Sequence, residues 1–239
     1  MQSFTIHPLH VGTLTRPMAT FCYGSEPGRM VDVPLVSWLI KSSDRTLLID
    51  TGAGDPAKAN PHWMPYKRPK EQSLENALRN VGMRCGDIET VIMTHLHWDH
   101  CGEVKLFRHS KIFVQEEELQ YALSPFPVHI HSYNDGVLNG IDYTIISGDK
   151  EIAPGLTAIF TPGHTYGTQG VLVEGEDRRY FIASDTIYFY KNLEQDPPLV
   201  SGAFVDLRKY YESLERIKRL SAVILPGHEI RVFEREVYS

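Results

Sequence analysis

The residues with the clearest chemical meaning lie in the run 94–102, which reads THLHWDHCG. The run has the spacing H-x-H-x-D-H and holds His95, His97, Asp99 and His100. Imidazole nitrogens and carboxylate oxygens are the groups that bind zinc or iron in proteins. Buried without a metal ion, these side chains would be costly, because desolvated polar groups need partners. The run therefore predicts a metal site rather than a polar loop in which histidines happen to lie close together.

Three more ligand-type residues, His164, Asp185 and His228, each follow a short apolar segment later in the chain. If these segments are strands that end at one edge of a sheet, their ends gather all the candidate ligands into one cleft. Five histidines and two aspartates are too many for one tetrahedral ion. They suit two ions about 3.5–4 Å apart that share a carboxylate and a water, which is a known hydrolytic arrangement.

The elements that must position these residues are mostly short strands. Apolar segments predict strands at 33–40, 46–50, 88–94, 111–115, 143–146, 156–160, 171–173, 180–183 and 223–225. Helices are predicted after the capping residues Ser73 and Asp206 and over residues 116–123. The start of the chain alternates like a strand and is expected to break at Gly12. Residues 124–140 are predicted to be a loop whose histidines, His129 and His131, lie at the surface or at a pocket rim.

A long loop at 55–72 contains apolar side chains in an otherwise polar segment. Long loops in compact domains are often functional, so we expect Trp63, Met64 and Tyr66 to face the substrate. Trp98, inside the histidine run, is expected to contact the substrate as well. Asp50 ends the strand before this loop, and two interpretations stay open: a partner that orients a ligand histidine, or a simple turn former.

The bulk properties are those of an ordinary globular protein. The chain has 239 residues, 42% of them hydrophobic and 23% charged, and we expect one domain over 1–239. The net charge of -6 argues against a nucleic-acid partner. No segment resembles a secretion signal or the ~20-residue apolar run of a membrane span. Three cysteines suggest no disulfide framework, so a cytoplasmic location is expected, with Cys101 as a small buried neighbour of the ligands.

Taken together, these motifs resemble those of the metallo-β-lactamase-fold superfamily and, within it, the N-acyl-homoserine lactonases. The superfamily resemblance depends on residues 95–100, His164, Asp185 and His228 and extends to the segment 48–52, LIDTG. The narrower resemblance depends on Tyr188, three residues after Asp185, and on the segments 28–34 and 161–164. Where the resembled enzymes often have Phe inside the central motif, this chain has Trp98.

The resemblance implies a fold and a set of roles. The implied fold is the αββα sandwich, in which two mixed β-sheets are flanked by helices. The resemblance places His95, His97 and His164 on one metal, and Asp99, His100 and His228 on the other, with Asp185 as the bridge. Zinc is the expected metal, with iron, cobalt and manganese as alternatives.

The resemblance also implies a mechanism and a substrate. A metal-bridging hydroxide attacks the carbonyl of a lactone, the Tyr188 hydroxyl stabilises the oxyanion, and Asp99 relays the proton to the leaving alkoxide. The substrate is a small molecule, with no nucleic-acid or membrane partner, and the resemblance allows a homodimer. The alternatives are a same-fold hydrolase of another lactone, such as a pyridoxine-derived lactone, or of another ester or thioester. A non-catalytic metal-binding module is a further alternative.

Overall fold

The structure is a computed structural model that describes residues 3–63, 65–133 and 138–239. Its strands are, in chain order, β1 Thr5–Pro17, β2 Met30–Lys41, β3 Thr46–Ile49, β4 Tyr66–Lys67, β5 Thr90–Ile92, β6 Lys111–Gln115, β7 Tyr143–Ile146, β8 Lys150–Ala153, β9 Leu156–Phe160, β10 Gln169–Glu174, β11 Arg179–Ser184 and β12 Val223–Pro226. The α-helices are α1 Met18–Phe21, α2 Leu74–Asn80, α3 Trp98–Cys101, α4 Glu116–Leu123 and α5 Leu207–Lys218.

The strands form two sheets. The first has the order β4-β1-β2-β3-β5-β6-β7, and the second has the order β12-β11-β10-β9-β8. Both sheets are mixed: β1, β2 and β3 pair antiparallel, whereas β3, β5, β6 and β7 pair parallel. In the second sheet, the parallel pair is β11 with β12. The ends of β5, β9, β11 and β12 each lead into a predicted metal ligand.

The core lies in layers that correspond to this arrangement. Between the sheets, Trp38 and Ile40 of β2 pack in one buried cluster with Val171 of β10 and Ile182 of β11. Helix α2 buries Leu74, Ala77 and Leu78 against the other face of the first sheet, and α5 buries Tyr210, Leu214 and Ile217 against the second. The fold is therefore the expected αββα sandwich of two mixed sheets flanked by helices.

The predicted helix starts are confirmed at both capping residues. The Ser73 hydroxyl accepts a hydrogen bond from the Asn76 amide at 3.4 Å, and the Asp206 carboxylate accepts one from the Lys209 amide at 3.0 Å. These bonds satisfy amide groups that have no partner within the first helical turn. Helix α5 ends before the strand β12 that leads to His228.

One prediction about local structure was wrong, and two short strands were missed. The first strand does not break at Gly12 but continues through it, with a register shift between His10 and Thr13 that is typical of a β-bulge. Gly12 has φ +145°, a conformation that glycine adopts readily. The short strands β4 and β8 were not predicted, because neither has a run of apolar residues.

Within the described residues, no helix is both long and apolar enough to cross a membrane.

Candidate metal centre

The seven predicted ligands come from four places where a strand ends. His95 and His97 lie in the turn after β5, and Asp99 and His100 follow in the one-turn helix α3. His164 follows β9, Asp185 follows β11, and His228 follows β12. Because β5 belongs to one sheet and the other three strands to the second, the site lies where the ends of both sheets meet.

The structure brings all seven predicted ligands together in three overlapping groups, within each of which the candidate ligand atoms lie no more than 4.8 Å apart. One group is His95, His97 and His164, and another is Asp99, His100 and His228. The third group, His95, His100 and Asp185, joins the first two. Asp185 has its Oδ2 atom 3.4 Å from His164 Nε2 and its Oδ1 atom 3.1 Å from His228 Nε2. Its two oxygens therefore face different groups, as a bridging carboxylate requires.

Two of the histidines are held by carbonyl groups that contact their Nδ1 atoms. His164 Nδ1 donates to the carbonyl of Ala203 at 2.8 Å, and His228 Nδ1 donates to the carbonyl of Pro34 at 2.9 Å. A carbonyl oxygen can only accept, so the proton on each ring is on Nδ1. This leaves the Nε2 lone pair of each ring directed at the cluster, which is how neutral histidines bind metals.

Two unpartnered ring nitrogens in the cluster fit the binding of a cation. The Nε2 atoms of His95 and His100 are buried and make no hydrogen bond in acceptable geometry, although His100 Nε2 lies 3.1 Å from Asp185 Oδ1. His97 Nδ1 and His164 Nε2 lie 3.0 Å apart, within hydrogen-bond distance of each other. Buried nitrogens without partners are costly, and metal coordination would satisfy them together. The residues present therefore fit divalent metal ions.

The electrostatics of the cluster agree with this geometry. Burial and the neighbouring imidazole of His100 lower the pKa of His95 well below its ordinary value, and burial and His164 do the same to the pKa of His97. Although burial alone raises the pKa of Asp185, the neighbouring His100 and His228 hold it well below its ordinary range. The rings of His95 and His97 are thus held neutral beside an ionised Asp185, which is the charge state that metal binding needs. His100 differs, because burial lowers its pKa but the carboxylates of Asp185 and Asp50 outweigh that effect and raise the pKa well above its ordinary value.

Asp50 joins the ends of two neighbouring strands, β3 and β5, at the site. Its Oδ2 atom accepts from His100 Nδ1 at 2.8 Å and from the Thr94 hydroxyl at 2.7 Å, and its Oδ1 atom accepts from the Thr94 amide at 2.8 Å. Of the two interpretations of the sequence, the structure therefore favours a partner that orients a ligand histidine. Asp50 and Ser184 have φ values of +59° and +46°, which are unusual for residues other than glycine and are often found at functional sites.

Tyr188 lies against the same cluster. Its ring stacks on that of His228 with centroids 5.2 Å apart, and its hydroxyl is 3.4 Å from His164 Nδ1. Burial and the nearby charge of Asp185 raise the pKa of the Tyr188 hydroxyl well above its ordinary value. The phenol therefore keeps its proton and remains a hydrogen-bond donor beside the metal ligands.

A cleft of about 250 Å³ opens beside His97 and His164. Its remaining lining residues are His129, Ser132, Gly202, Ala203, Phe204 and Val205. His129 is held by Tyr121, whose hydroxyl lies 2.6 Å from His129 Nδ1. Sequence reasoning assigned His129 to the surface or a pocket rim; the structure places it in the cleft wall, next to two predicted metal ligands.

The aromatic residues predicted to contact the substrate lie elsewhere. Trp63 stacks on Trp98 with centroids 4.6 Å apart, and the Tyr66 hydroxyl donates to the Gly54 carbonyl at 2.8 Å. All three aromatic side chains are buried, and none is among the described residues that line the cleft. Met64 lies outside the described residues. The predicted contact of these side chains with a substrate stays a prediction.

Among the described residues, the clusters of potential metal ligands contain no cysteine. Cys22, Cys85 and Cys101 are all free. The Cys101 thiol donates to the Leu96 carbonyl at 3.3 Å, and burial raises the pKa of that thiol. It therefore packs as a small buried neighbour of the ligand loop.

Sequence reasoning missed one buried charged residue at the site. Glu118, in α4, is fully buried and hydrogen-bonds to both segments that present His95, His97 and His164. Its neighbours Glu116 and Glu117 are exposed, so a run of three glutamates looks like a solvated helix face. The carbonyls of Pro34 and Ala203 were also missed, because backbone groups leave no mark in a sequence.

Comparison with known proteins identifies the family. The model of the metallo-beta-lactamase superfamily matches residues 31–228. An N-acyl homoserine lactonase of a Bacillus species is 30% identical over 223 residues, covering 88% of this chain and 84% of the relative. The N-acyl homoserine lactonase AiiB of Agrobacterium fabrum is 29% identical over 243 residues, covering 90% of this chain and 87% of the relative.

Solved structures agree with the sequence comparisons. A mutant of Bacillus thuringiensis AiiA, with N-decanoyl-L-homoserine at its active site, superposes with a TM-score of 0.85 at 25% identity, covering 98% of this chain and 96% of the other. An N-acyl homoserine lactone hydrolase with its product N-hexanoyl-L-homoserine at the catalytic metal centre matches equally well, with a TM-score of 0.85, 25% identity and the same coverages of 98% and 96%. The chain therefore belongs to the metallo-β-lactamase superfamily and, within it, to the family of the N-acyl homoserine lactonases.

Proposed function

We propose that this chain is a metal-dependent lactonase that opens the ring of N-acyl homoserine lactones and acts as one catalytic domain over residues 1–239. Support comes from the family and from a solved relative, which binds the ring-opened product N-hexanoyl-L-homoserine at its catalytic metal centre. Hydrolysis adds water across the ester bond of the lactone, so that the carbonyl carbon becomes a carboxylic acid and the ring oxygen becomes a hydroxyl. No observation favours another ester, a thioester or a non-catalytic role.

The geometry of the clusters supports a proposal for the metal ligands. His95, His97 and His164 would hold one ion, and Asp99, His100 and His228 a second, with Asp185 between them. When bound, two divalent ions supply the Lewis acidity that activates water and polarises a carbonyl oxygen. We propose zinc, because nitrogen and carboxylate ligands suit it well. The same set of ligands also accepts iron, cobalt or manganese.

The position of Tyr188 is the single observation that carries the lactonase proposal. Its hydroxyl lies 3.4 Å from the ring of His164 and remains protonated, because burial and Asp185 raise its pKa. A neutral phenol at this point can donate a hydrogen bond to the carbonyl oxygen as negative charge develops there. It adds no charge to the cluster, and such preorganised donors are a large source of rate enhancement.

Asp99 and the cleft supply the remaining functions. The Asp99 side chain is 11% exposed, and its Oδ2 atom lies 3.9 Å from His100 Nε2, so it can exchange protons at the edge of the cluster. We propose that it takes the proton of the attacking water and delivers it to the ring oxygen as the ester bond breaks. The cleft between His129 and Phe204 would hold the amide and the first part of the acyl chain.

A continuous assay of acid release tests this proposal. Protein loaded with Zn²⁺ is given N-hexanoyl and N-decanoyl homoserine lactones, with a thioester and a β-lactam as comparison substrates. We expect rapid acid release from the lactones, little from the others, and loss of activity after treatment with a chelator. Equal or faster hydrolysis of the thioester or the β-lactam would refute the lactonase assignment.

A further inference from the structure

Glu118 is a buried carboxylate that the proposed reaction does not use. It is the third residue of α4 and is 0% exposed, whereas charged side chains are almost never fully buried unless they are paired. In the described part of the chain, its hydrogen-bond partners are neutral groups. Instead, it accepts hydrogen bonds from two separate segments, and both segments present candidate metal ligands.

The first segment is the turn after β5. Glu118 Oε1 accepts from the amide of Leu96 at 2.8 Å, and Leu96 is the residue between His95 and His97. The hydroxyl of Tyr133 lies 3.5 Å from the same oxygen. One carboxylate oxygen therefore anchors the backbone that aims two ligand side chains.

The second segment is the turn after β9. Glu118 Oε2 accepts from the Thr165 hydroxyl at 2.5 Å and from the Gly167 amide at 3.2 Å. Thr165 directly follows His164, and its hydroxyl lies 2.6 Å from that of Thr168. Gly167 packs closely on α4, since a Cβ atom there would lie 2.3 Å from the Glu118 amide nitrogen. The turn is thus locked onto the helix through Glu118.

We propose that Glu118 is a positioning residue for the metal site formed by His95, His97 and His164, because its two oxygens tie the two ligand-bearing turns to one point. Its partners are all N–H or O–H groups, so an ionised carboxylate can accept from each of them. Burial raises the pKa of Glu118, and the hydrogen bonds from Thr165, Leu96 and Gly167 oppose that effect. This inference rests on the metal binding proposed above but not on the identity of the substrate.

The inference is specific for one of the two metal sites. His100 is held by Asp50, and His228 is held by the carbonyl of Pro34, so neither depends on Glu118. Loss of the Glu118 carboxylate should therefore loosen the site of His95, His97 and His164 and leave the other site largely intact. A general loss of stability would weaken both sites alike.

The isosteric change Glu118→Gln tests this directly. An amide has one acceptor oxygen, so its NH₂ group must face either the Leu96 amide or the Gly167 amide, and both of these are donors. Since Leu96 is the closer partner, we expect the oxygen to remain there and the turn of His164 to move. Partners that orient metal ligands typically contribute about 10- to 100-fold to metal affinity, and we expect a loss of that size at this site.

Zn²⁺ affinity is measured by competition with a chromophoric chelator, and Co²⁺ binding is followed by its visible absorption spectrum. The matched control is Glu117→Gln, which makes the same change at an exposed neighbour in the same helix. We expect the parent and the control to bind two ions with similar affinities. Glu118→Gln should bind one ion normally and one about 10- to 100-fold more weakly, with a changed Co²⁺ spectrum.

A second pair of variants keeps the test decisive if Glu118→Gln does not fold. Thr165→Val removes one donor to Glu118, and Thr165→Ser restores it. Weaker binding of one ion in the valine variant and recovery in the serine variant would support the inference. The inference would be overturned if Glu118→Gln had two normal sites or bound both ions equally weakly. It would also be overturned if the valine and serine variants did not differ. A parent protein that binds no metal would instead refute the proposed function.

Discussion

The change Asp50→Asn is the sharpest test of how the protein controls its metal ligands. Asp50 accepts hydrogen bonds from the Thr94 amide, the Thr94 hydroxyl and His100 Nδ1, all within 2.8 Å. Asparagine has nearly the same shape, and it tolerates the left-handed conformation of this residue better than most side chains do. The substitution therefore tests the carboxylate itself and not the backbone.

The expected magnitude follows from counting acceptors. In asparagine, an NH₂ group replaces one of the two carboxylate oxygens. This NH₂ group must therefore face either the Thr94 amide or His100 Nδ1–H, and both of these are donors. If it faces His100, the ring can escape only by moving its proton to Nε2, the atom that is directed at the cluster. An unpaired buried donor costs about 1–3 kcal/mol, or about 5- to 150-fold in a binding constant. This range agrees with the loss of about 10- to 100-fold typical of residues that orient metal ligands.

The assay is a Zn²⁺ titration against a competing chelator, with the exposed change Asp177→Asn as the control. We expect Asp50→Asn to lower the Zn²⁺ affinity of one site, the site to which His100 would contribute, by about 10- to 100-fold. Thermal unfolding of chelator-treated protein separates this effect from a loss of fold. If both variants bind two ions as tightly as the parent, then Asp50 does not set the proton position on His100 and the reasoning fails.

Four further outcomes are expected. His164→Ala should lower both the metal content and the activity, because it removes a ligand from one site; elemental analysis that still finds two ions per chain would contradict the ligand assignment. Tyr188→Phe should keep both metals, lower kcat on a homoserine lactone about tenfold, since the metals stabilise the same oxygen, and leave KM nearly unchanged; an unaltered kcat would make the ring a packing residue only. Trp63→Ala should change KM across a series of acyl chain lengths far more than it changes the metal content, and identical kinetics would refute the predicted substrate contact. His129→Phe should raise KM for acylated lactones without loss of metal, as measured by steady-state kinetics with elemental analysis, and an unchanged KM would remove His129 from the substrate cleft.

The sequence by itself was enough to identify the candidate ligands. Residues 95–100 form a local pattern, so the chain itself keeps their side chains within a few ångströms of one another. His164, Asp185 and His228 could be found because each follows an apolar strand, and strand ends converge at the edges of sheets. Family membership followed from the same residues and is confirmed by the superfamily match over residues 31–228.

The parts of the structure that were mispredicted depend on weak local signals. Gly12 interrupts the alternation of β1, but β1 accommodates one extra residue there as a bulge and continues to pair with β2. Strand β8 begins with the polar residues Lys150 and Glu151 because it lies at the edge of its sheet, where one side faces solvent. Neither the bulge nor strand β8 has the alternation of hydrophobic and polar residues by which a strand is predicted from sequence.

Only the tertiary structure decided which groups hold the ligands in place. The parallel pairing of β3 with β5 puts Asp50 next to Thr94 and His100, more than forty residues further along the chain. The docking of α4 on two turns makes Glu118 a buried anchor, although the preceding Glu116 and Glu117 are exposed. Such contacts join residues that are distant in the chain through strand register and helix packing. Because the amino-acid sequence records the partners but not the register that brings them together, these roles became visible only in the folded protein.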